Sequence, residues 1–486
     1  MQSNRFTDTT INMILPKNEL PKKVIVIGAG VTGLSTAWQL ARAGVKVLLL
    51  EANDHVGGMA ATFRHADFLL DLGPHKFFSL MEDRMHLLEE LMGEELLTVP
   101  KRSRICLANR LLDYPIGLLD VMKNLDPLIA VTGGLSYLYQ LLLNLFNRRE
   151  DVSYEDWLVR RFGRKLYELI FAQYARKIWG EPKTLARSLA ETRVAIPGLL
   201  PLLWQMLVAP KSGRVIHAET FRYPKYGSGQ FCEKLAELVT QHGGEIHLSS
   251  LVQHITIQDE KISSLDIKDQ PSISIDAEDM VISTLSLSLF NNMVTPNLPE
   301  EVGSAAKNLK TRDLILLYLV INRASVSHDN WIFFPEQKVI FNRMFEQKNF
   351  SPYMLPADKT VLCLEIVVDE GGYRPADSVL IERSLHTLEE LKLIRSSEVV
   401  EHFTRYVKWA YPVYDKHYQQ NVNVLLKHLD SISNLYSVGR QGGFNYVGQI
   451  DCLDIGIRTA EYILTHKDKS AYDAVRQSFN AYIVLD

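Results

Sequence analysis

The sequence predicts an α/β fold that begins with a Rossmann-like domain and adds a mixed α+β domain with a helical subdomain. Three observations support this prediction. The apolar run 23–27 ends in a glycine turn that opens a helical pattern, and the apolar run 45–50 ends in the acid Glu51. The chain has 486 residues, more than the about 100–200 residues of one ordinary domain. Two or three domains are therefore expected.

The first glycine turn has the spacing of a dinucleotide-binding motif. Gly28 permits the tight turn, Gly30 lets the backbone approach a pyrophosphate, and Gly33 lets the following helix pack close to the strand. The N-terminus of that helix offers free N–H groups and a partial positive charge to phosphates. Glu51 follows Gly33 by 18 residues, at a distance where a carboxylate accepts hydrogen bonds from ribose hydroxyls.

Two further glycine turns decide between NAD and FAD. Gly57-Gly58 follows Glu51 closely, and Gly73-Pro74-His75 follows a short apolar stretch. Together with the first turn, the glycine pair resembles the FAD-binding amine oxidase and protoporphyrinogen oxidase superfamily. In that superfamily the pair contacts the pyrophosphate and the flavin, and the later turn reaches the isoalloxazine ring. The resemblance therefore implies FAD as the cofactor.

Later segments extend this resemblance. Residues 247–252 and 279–284 resemble the strand whose valine packs on the adenine and the strand that returns to the cofactor domain. Residues 434–444 resemble the final strand and glycine turn, and 451–464 has helical spacing of apolar residues. The resemblance implies a cofactor site formed by Gly28, Gly30, Gly33, Leu34, Glu51, Ala52, Gly57, Gly58, Met59, Gly73, Pro74, His75, Val252, Gly439, Arg440, Val447 and Gly448.

The predicted domains follow from these segments. A Rossmann-like FAD-binding domain of the GR2 type is assembled from residues 21–80, 225–300 and 430–470. A helical substrate or cap subdomain spans 81–224, and a substrate-binding sheet domain spans 301–429. Residues 1–20 are expected to be a loose extension, and residues 471–486 a C-terminal tail.

Composition excludes several classes of function. The net charge of −4 favours no nucleic-acid partner. The four cysteines lack CxxC spacing, so no metal site is expected and a reduced cytoplasmic setting is predicted. The N-terminus has no signal-peptide pattern. The sequence does not indicate an oligomeric state.

Two apolar stretches raise the question of a membrane. Residues 128–146 contain no charge, and 194–209 are apolar but include Pro197, Gly198 and Pro201. Polar and glycine residues within both stretches weaken a spanning helix. Buried helices of the second domain are the favoured interpretation, and a peripheral membrane contact stays open as an alternative, since basic residues flank both stretches.

The substrate region resembles UDP-galactopyranose mutase, itself a member of this flavin fold. The resemblance covers residues 162–180, which include Tyr174 and Trp179, and continues at Arg193, 14 residues after the tryptophan. In that family these aromatic residues contact the nucleotide-sugar and the arginine binds its diphosphate. Such roles are physically reasonable, because aromatic rings stack on bases and guanidinium groups bind phosphate bidentately.

Other positions match the mutase pattern only in part. Tyr446 aligns with a tyrosine that touches the diphosphate, but Asn445 replaces the usual arginine and Gly448 the usual acid. The pattern does not locate the second diphosphate-binding arginine, for which Arg343 is a candidate substitute.

Two mechanisms and one non-catalytic alternative follow. In the leading hypothesis FAD accepts a hydride from a small-molecule substrate, a nucleotide-linked or phosphorylated sugar. The alternative is redox-neutral mutase chemistry on reduced FAD, and a flavin-binding protein without turnover is the third. His75 and Tyr446 are the candidate catalytic residues, because a histidine at the flavin could shuttle a proton. Tyr174, Trp179, Arg193 and Arg343 are the candidate substrate-binding residues.

Overall fold

A computed structural model describes residues 15–16, 19–114, 127–146, 150–193 and 219–483. Most of the predicted N-terminal extension and the apolar stretch 194–209 lie outside the described residues. The strands are β1 (Lys23–Ile27), β2 (Lys46–Leu50), β3 (Thr62–His65), β4 (Phe68–Asp71), β5 (Leu96–Pro100), β6 (Ser103–Leu107), β7 (Arg110–Asp113), β8 (Thr220–Pro224), β9 (Glu245–His247), β10 (Val252–Gln258), β11 (Lys261–Ile267), β12 (Ile273–Ser274), β13 (Met280–Ser283), β14 (Val294–Thr295), β15 (Lys310–Ile321), β16 (Trp331–Phe333), β17 (Arg343–Glu346), β18 (Thr360–Asp369), β19 (Val399–Val413) and β20 (Leu435–Ser437).

Helices connect these strands and cover the sheets. They are α1 (Val31–Arg42), α2 (Glu82–Met92), α3 (Pro127–Phe146), α4 (Tyr154–Leu166), α5 (Gln173–Ile178), α6 (Arg187–Arg193), α7 (Gly229–Gln241), α8 (Leu287–Met293), α9 (Glu300–Asn308), α10 (Asp377–Glu390), α11 (Tyr418–Ser431), α12 (Gly439–Gly442), α13 (Gln449–Thr465) and α14 (Tyr472–Ser478). Short 3-10 segments and one π-helix, Tyr167–Ala172, complete the described chain.

A five-stranded parallel sheet forms the first layer, in the order β20-β13-β1-β2-β9. Its strands come from three separated stretches of the chain. The predicted β1–turn–α1–β2 unit is confirmed, and Val24, Ile25 and Val26 are fully buried. Val24 and Val26 lie in a core with helices α1, α7 and α13, whereas Ile25 and Ile27 lie in a core that includes strands β10 and β11. Burial on both faces explains why these strands are apolar throughout rather than alternating.

A seven-stranded sheet forms the second region, in the order β19-β15-β18-β17-β16-β6-β7. Its long central strands β15 and β18 pair in antiparallel register over their full lengths. Strands β6 and β7 belong to this sheet, although the stretch 81–224 was expected to form a helical subdomain. That expectation was wrong for 103–113, because β6 pairs with β16 and β7 pairs with β6, which draws both strands into the sheet. Strand β5 pairs with β8 in a separate two-stranded sheet.

The helical region begins at α4 with a capping box. Ser153 accepts a hydrogen bond from the backbone N–H of Asp156, and the Asp156 carboxylate accepts one from the N–H of Ser153. Gly163 then interrupts the helix with a φ of 75°, and the π-helix follows. Helix α4 packs against α3, and the π-helix connects α4 to α5.

Helix α3 does not form the buried helix that the sequence favoured. One face packs on α4, but Leu135, Leu138 and Leu142 on the other are 57–61% exposed. The C-terminal tail also differs from the expectation. It forms α14, where Tyr472 is buried and Arg476 pairs with Asp430, so residues 472–481 are part of the folded domain.

Helices α1 and α13 cross closely at Gly456. A Cβ atom at this position would lie 2.0 Å from the Ser35 Oγ and 2.6 Å from the Thr32 carbonyl oxygen. Both partners are fixed, since the Ser35 and Thr36 hydroxyls donate to carbonyls of α1. This contact requires glycine for space, not for backbone conformation.

We predict that Gly456→Ala lowers the melting temperature. Alanine ordinarily favours a helix interior by about 1 kcal/mol over glycine, but overpacking this crossing costs about 1–3 kcal/mol. Gly134→Ala in α3 is the matched control, because a Cβ at that position would have no described atom within 4 Å. Differential scanning calorimetry measures both variants, and a Gly456→Ala protein that melts at or above the wild type would contradict the packing argument.

Candidate active site

Packing requires glycine at two of the three glycine positions of the first turn, Gly28 and Gly33. Gly28 has a φ of +103°, and a Cβ there would lie 2.2 Å from the Thr284 Oγ1. A Cβ on Gly33 would lie 2.0 Å from the Gly28 carbonyl oxygen. These contacts fix the strand–turn–helix geometry that the sequence predicted.

Gly30 differs, because no described atom lies within 4 Å of the place a Cβ would occupy. It is the N-cap of α1 and has ordinary extended backbone angles. No side chain caps the helix at this position, so the first N–H groups of α1 face the open space beside Gly30. This is a cradle of the kind that a pyrophosphate fills.

Glu51 lies at the carboxyl end of β2 and is 5% exposed. Its carboxylate accepts hydrogen bonds from the Ala29 N–H at 2.7 Å, the Asn53 N–H at 2.9 Å and the Asn53 Nδ2 at 2.7 Å. These bonds hold both oxygens beside the glycine turn. A carboxylate has about four acceptor sites, so capacity remains for a ribose hydroxyl.

The second glycine pair lies directly against the first turn. Gly57 donates its N–H to the Ala29 carbonyl at 2.8 Å and pairs with Gly30 in an isolated bridge. A Cβ on Gly58 would be 3.6 Å from the Gly30 Cα. Positive φ values at Gly57 and Gly58 let the loop turn back at this point. The two motifs therefore enclose one site.

The C-terminal turn approaches the same site from the other side. Gly439 has a φ of +87°, and its Cβ would touch Thr32 of α1 at 2.9–3.0 Å. Gly448 is the N-cap of α13, and its N–H donates to Asp451 at 2.8 Å. The Gln449 side-chain amide at the first position of this helix is buried, and neither of its polar atoms has a partner among the described residues.

Arg440 ties this turn to the seven-stranded sheet. Its Nη1 donates to the Val447 carbonyl at 2.6 Å, and its Nη2 donates to the Ala410 carbonyl at 2.7 Å. The buried Nε has no described partner. Burial lowers the pKa of the guanidinium, so a nearby anion would stabilise its charged form.

His75 lies where the Gly73 turn meets the seven-stranded sheet. A Cβ on Gly73 would lie 3.3 Å from the Glu365 Oε1 and 3.8 Å from the His75 Nε2. This Nε2 is buried and has no hydrogen-bond partner within the described part of the chain. Burial, followed by the charges of Arg343 and Arg440, lowers the pKa of His75 to about 4. The imidazole is therefore neutral at ordinary pH.

Three of the predicted substrate-binding residues form one connected cluster with Tyr446, a candidate catalytic residue. The ring centroids of Tyr174 and Trp179 are 6.3 Å apart, and those of Trp179 and Tyr446 are 6.4 Å apart. The Arg193 Cζ lies 3.4 Å from the Tyr446 ring centroid, and its Nη2 donates to the Tyr446 carbonyl at 2.9 Å. The Arg193 Nε and Trp179 Nε1 are buried without a described partner.

Arg343 has a different environment from the one expected of a phosphate-binding arginine. Its Nε and Nη2 donate to both oxygens of Glu365, at 2.9 and 2.8 Å. The Tyr411 hydroxyl donates to the same carboxylate at 3.2 Å and lies 3.4 Å from the Arg343 Nη2. Glu365 therefore compensates the charge of Arg343, which disfavours a direct role in binding a diphosphate.

Sequence reasoning missed Glu365 and Gln449 as members of this site, and it identified Asn445 only as a departure from the mutase pattern. Glu365 interrupts the apolar strand β18, and a lone acid in such a run was the available signal. The buried Asn445 Oδ1 has no described partner. No comparable pattern marks Gln449, whose position depends on the turn between α12 and α13.

The other predicted cofactor residues take supporting positions. Leu34 and Val252 are buried in the two cores, Ala52 is exposed and Pro74 is partly buried. Val447 is buried and accepts from Arg440, while the Gln441 Nε2 lies 3.6 Å from the Met59 sulfur. Lys76, adjacent to His75, lies over the Trp331 ring at 5.2 Å.

The described residues contain no group of three His, Cys, Asp or Glu side chains suited to a metal ion. The structure instead fits a dinucleotide, since it combines a cradle at Gly30, two helix N-termini and buried polar atoms that have no partner among the residues the structure describes.

Comparisons with known proteins agree with this geometry. A family model described as flavin containing amine oxidoreductase matches residues 31–464. Among curated proteins, the L-amino-acid oxidase of Sistrurus catenatus edwardsii is 44% identical over 75 residues, 14% of each chain. The phytoene desaturase of Fusarium fujikuroi is 27% identical over 299 residues, which cover 57% of this chain and 52% of that protein. The matches thus span about half or less of these relatives.

Solved structures show how far the fold is shared. A reduced UDP-galactopyranose mutase superposes with a TM-score of 0.81 at 21% identity, and covers 96% of this chain and 100% of that one. A putrescine oxidase bound to putrescine superposes with a TM-score of 0.59 at 15% identity, over 92% of this chain. At these identities the likeness concerns the fold. The family model, by contrast, matches residues 31–464, which is most of the chain. The chain therefore belongs to the flavin containing amine oxidoreductase family, with FAD as its cofactor.

Proposed function

We propose that this protein is an FAD-dependent oxidoreductase whose substrate is an anionic small molecule, a nucleotide-linked or phosphorylated sugar. One observation carries the proposal. Buried side-chain polar atoms of His75, Arg193, Arg440 and Gln449 have no protein partner in the described chain, and Arg193 and Arg440 both lie over the Tyr446 ring. Native proteins rarely leave such atoms unpaired, so their concentration here supports a ligand-binding role.

Charge supports an anionic substrate. Arg193, Arg343 and Arg440 surround Tyr446 and Tyr411, and Glu365 compensates one of the three guanidinium groups. Asp451 lies at the N-terminus of α13, and burial raises the pKa of its carboxyl to about 6. The three guanidinium groups still outnumber the carboxylates of Glu365 and Asp451, so the region has an excess of positive charge. Guanidinium groups bind phosphate with directional hydrogen bonds.

The residues of the chain would orient the substrate and exclude water. When bound, FAD supplies the hydride acceptor. Tyr174, Trp179 and Tyr446 form an apolar wall with edge-to-face contacts, which suits stacking against a base or sugar ring. The neutral His75 can accept a hydrogen bond at Nε2 and take a proton from a substrate hydroxyl.

Anaerobic mixing tests the proposal. Bleaching of the flavin absorbance by a nucleotide-linked or phosphorylated sugar would support it. Across a panel of such sugars, the absence of both bleaching and binding would contradict it.

A flavin-dependent sugar mutase is the second candidate function. The juxtaposition of Tyr174, Trp179, Arg193 and Tyr446 favours it, together with the extent of the fold likeness to UDP-galactopyranose mutase. Asn445 and Gly448 depart from the mutase pattern. Turnover of a UDP-sugar only after reduction with dithionite, without net oxidation, would distinguish this activity from the oxidoreductase. FAD binding with neither turnover nor reduction would indicate a non-catalytic protein.

We predict that Gly30→Val removes FAD without unfolding the chain. Its side chain would enter the open cradle, so FAD affinity should fall about 100-fold, equivalent to about 3 kcal/mol. Flavin fluorescence titration measures the affinity, and circular dichroism of the apoprotein should match that of the wild type. Gly33→Val is the contrasting variant, because its Cβ meets the Gly28 carbonyl, and it should destabilise the apoprotein itself. Unchanged FAD affinity in Gly30→Val would refute the cradle.

We predict that Arg193→Ala weakens UDP binding by about 10- to 100-fold, as expected when a hydrogen-bonded charge is lost from an anion site. Saturation-transfer NMR and calorimetry on the FAD-loaded protein measure the change. Arg187→Ala in the same helix is the control, since Arg187 pairs with Glu191 at the surface. Equal UDP affinity in both variants would show that Arg193 does not bind the diphosphate.

We predict that His75 contributes to acid sensitivity. Its native pKa of about 4 lies below the unfolded value of about 6.5, so between these pH values the unfolded chain binds more protons. The free energy of unfolding therefore falls as pH decreases from 6.5 towards 4. Urea unfolding of the apoprotein at pH 7 and pH 5 should show a smaller loss for His75→Gln than for the wild type. The exposed His254→Gln should behave as the wild type does.

A further inference from the structure

Helix α3 exposes its apolar side chains and turns its polar side chains towards the protein, the reverse of a usual surface helix. A surface helix normally turns its apolar face to the core and its polar face to water. In α3 the exposed positions form a stripe of aliphatic and aromatic side chains, and Phe146 reaches 87% exposure. The stripe, which we call the α3 apolar face, consists of Leu128, Val131, Leu135, Leu138, Tyr139, Leu142, Leu145 and Phe146.

The polar side chains of α3 face the protein instead. The Gln140 Nε2 donates to the Asn144 Oδ1 at 2.9 Å, and the Asn144 Nδ2 donates to the Arg160 carbonyl of α4 at 2.9 Å. Ser136 accepts the backbone N–H of Lys165 at 3.2 Å. The orientation of α3 is therefore fixed by specific hydrogen bonds, and its apolar face is directed outwards.

Close packing fixes the same orientation. A Cβ on Gly163 of α4 would lie 2.9 Å from the Tyr137 backbone, and a Cβ on Gly133 would lie 3.1 Å from Leu166. Rotation of α3 to bury its leucines would break these contacts and expose Tyr137, which is 6% exposed. Continuous apolar surface of this kind marks an interaction site.

We propose that the α3 apolar face docks on the surface of an anionic lipid bilayer, with its side chains among the acyl chains and α4 on the side of the protein. Charge supports a lipid occupant. Helix α3 contains no charged residue in its 20 positions, and the sequence continues after it with Asn147, Arg148 and Arg149. An apolar helix that basic residues follow in the sequence suits an acyl layer bordered by anionic headgroups.

The contact would lie on one leaflet only. None of the helices within the described ranges combines the length and hydropathy that crossing a bilayer needs. The hydrogen bonds of Gln140 and Asn144 with each other and with the Arg160 carbonyl also keep one side of α3 on the protein.

Size and composition disfavour a second copy of the chain as the occupant. A helix of 20 residues is about 30 Å long and about 10 Å wide, so its face covers about 300 Å². Stable dimers bury about 800 Å² per partner. Interfaces also concentrate their binding energy in tryptophan, tyrosine and arginine, whereas the α3 apolar face is mainly leucine and valine.

Vesicle flotation tests this proposal with the FAD-loaded protein. The test variant is Leu135→Gln/Leu138→Gln/Leu142→Gln, and the control is Leu80→Gln/Tyr373→Gln/Val400→Gln, which changes exposed apolar residues elsewhere. Wild type and control should float with phosphatidylcholine vesicles that contain phosphatidylglycerol, and less with phosphatidylcholine alone. The test variant should lose at least about 10-fold in partition coefficient while keeping its flavin content. Equal flotation of test variant and control, or no flotation of the wild type, would overturn the proposal.

A labelled variant separates lipid from the other occupants. The four native cysteines are buried, so Leu138→Cys offers an accessible thiol for an environment-sensitive fluorophore. Emission should shift to the blue only when anionic vesicles are added, and brominated lipids should quench it. A blue-shifted label without vesicles would mean that a second copy or residues 194–218 cover the face, and analytical ultracentrifugation would identify the copy. Either result would overturn the proposal, which is independent of the chemistry at the flavin.

Discussion

The close crossing of α1 and α13 is the constraint on which the site depends. Gly33 brings α1 against the turn after β1, and Gly456 brings α13 against Ser35 and Thr32 of α1. The two helices begin at the same edge of the parallel sheet, so their free N–H groups and partial positive charges point to one region. The cradle at Gly30 can stay open because the close packing contacts of the turn are made at Gly28 and Gly33.

The seven-stranded sheet supplies charged and polar side chains to the site. Its strands place Arg343, Glu365 and Tyr411 next to the turn that carries His75. A buried ion pair is costly unless its geometry satisfies both partners, and the two-point contact of Arg343 with Glu365 does so. The charge of Arg343 helps to lower the pKa of His75, although Glu365 cancels the net charge of the pair. Arg193 and Arg440 keep N–H donors that have no described partner and could bind a ligand.

The helical region connects this site to the outer surface. Gly163 breaks the regular helix, and the π-helix that follows turns the chain before Tyr174 and Trp179. Departures of this kind often mark functional positions. The same α4 segment anchors α3, so the aromatic wall of the site and the α3 apolar face belong to one packed unit.

Local signals were enough to predict the strand–turn–helix unit, because it depends on residues within a short segment. The family resemblance of the separated glycine turns implied FAD. The sequence also identified four candidate site residues, Tyr174, Trp179, Arg193 and Tyr446, although their roles in substrate binding and catalysis stay proposals. Tertiary structure alone decided that β6 and β7 join the seven-stranded sheet, that Glu365 neutralises Arg343, and that α3 turns its leucines outwards. Composition could not decide this orientation, since Gln140, Asn144 and Ser136 face inwards only because of partners on α4.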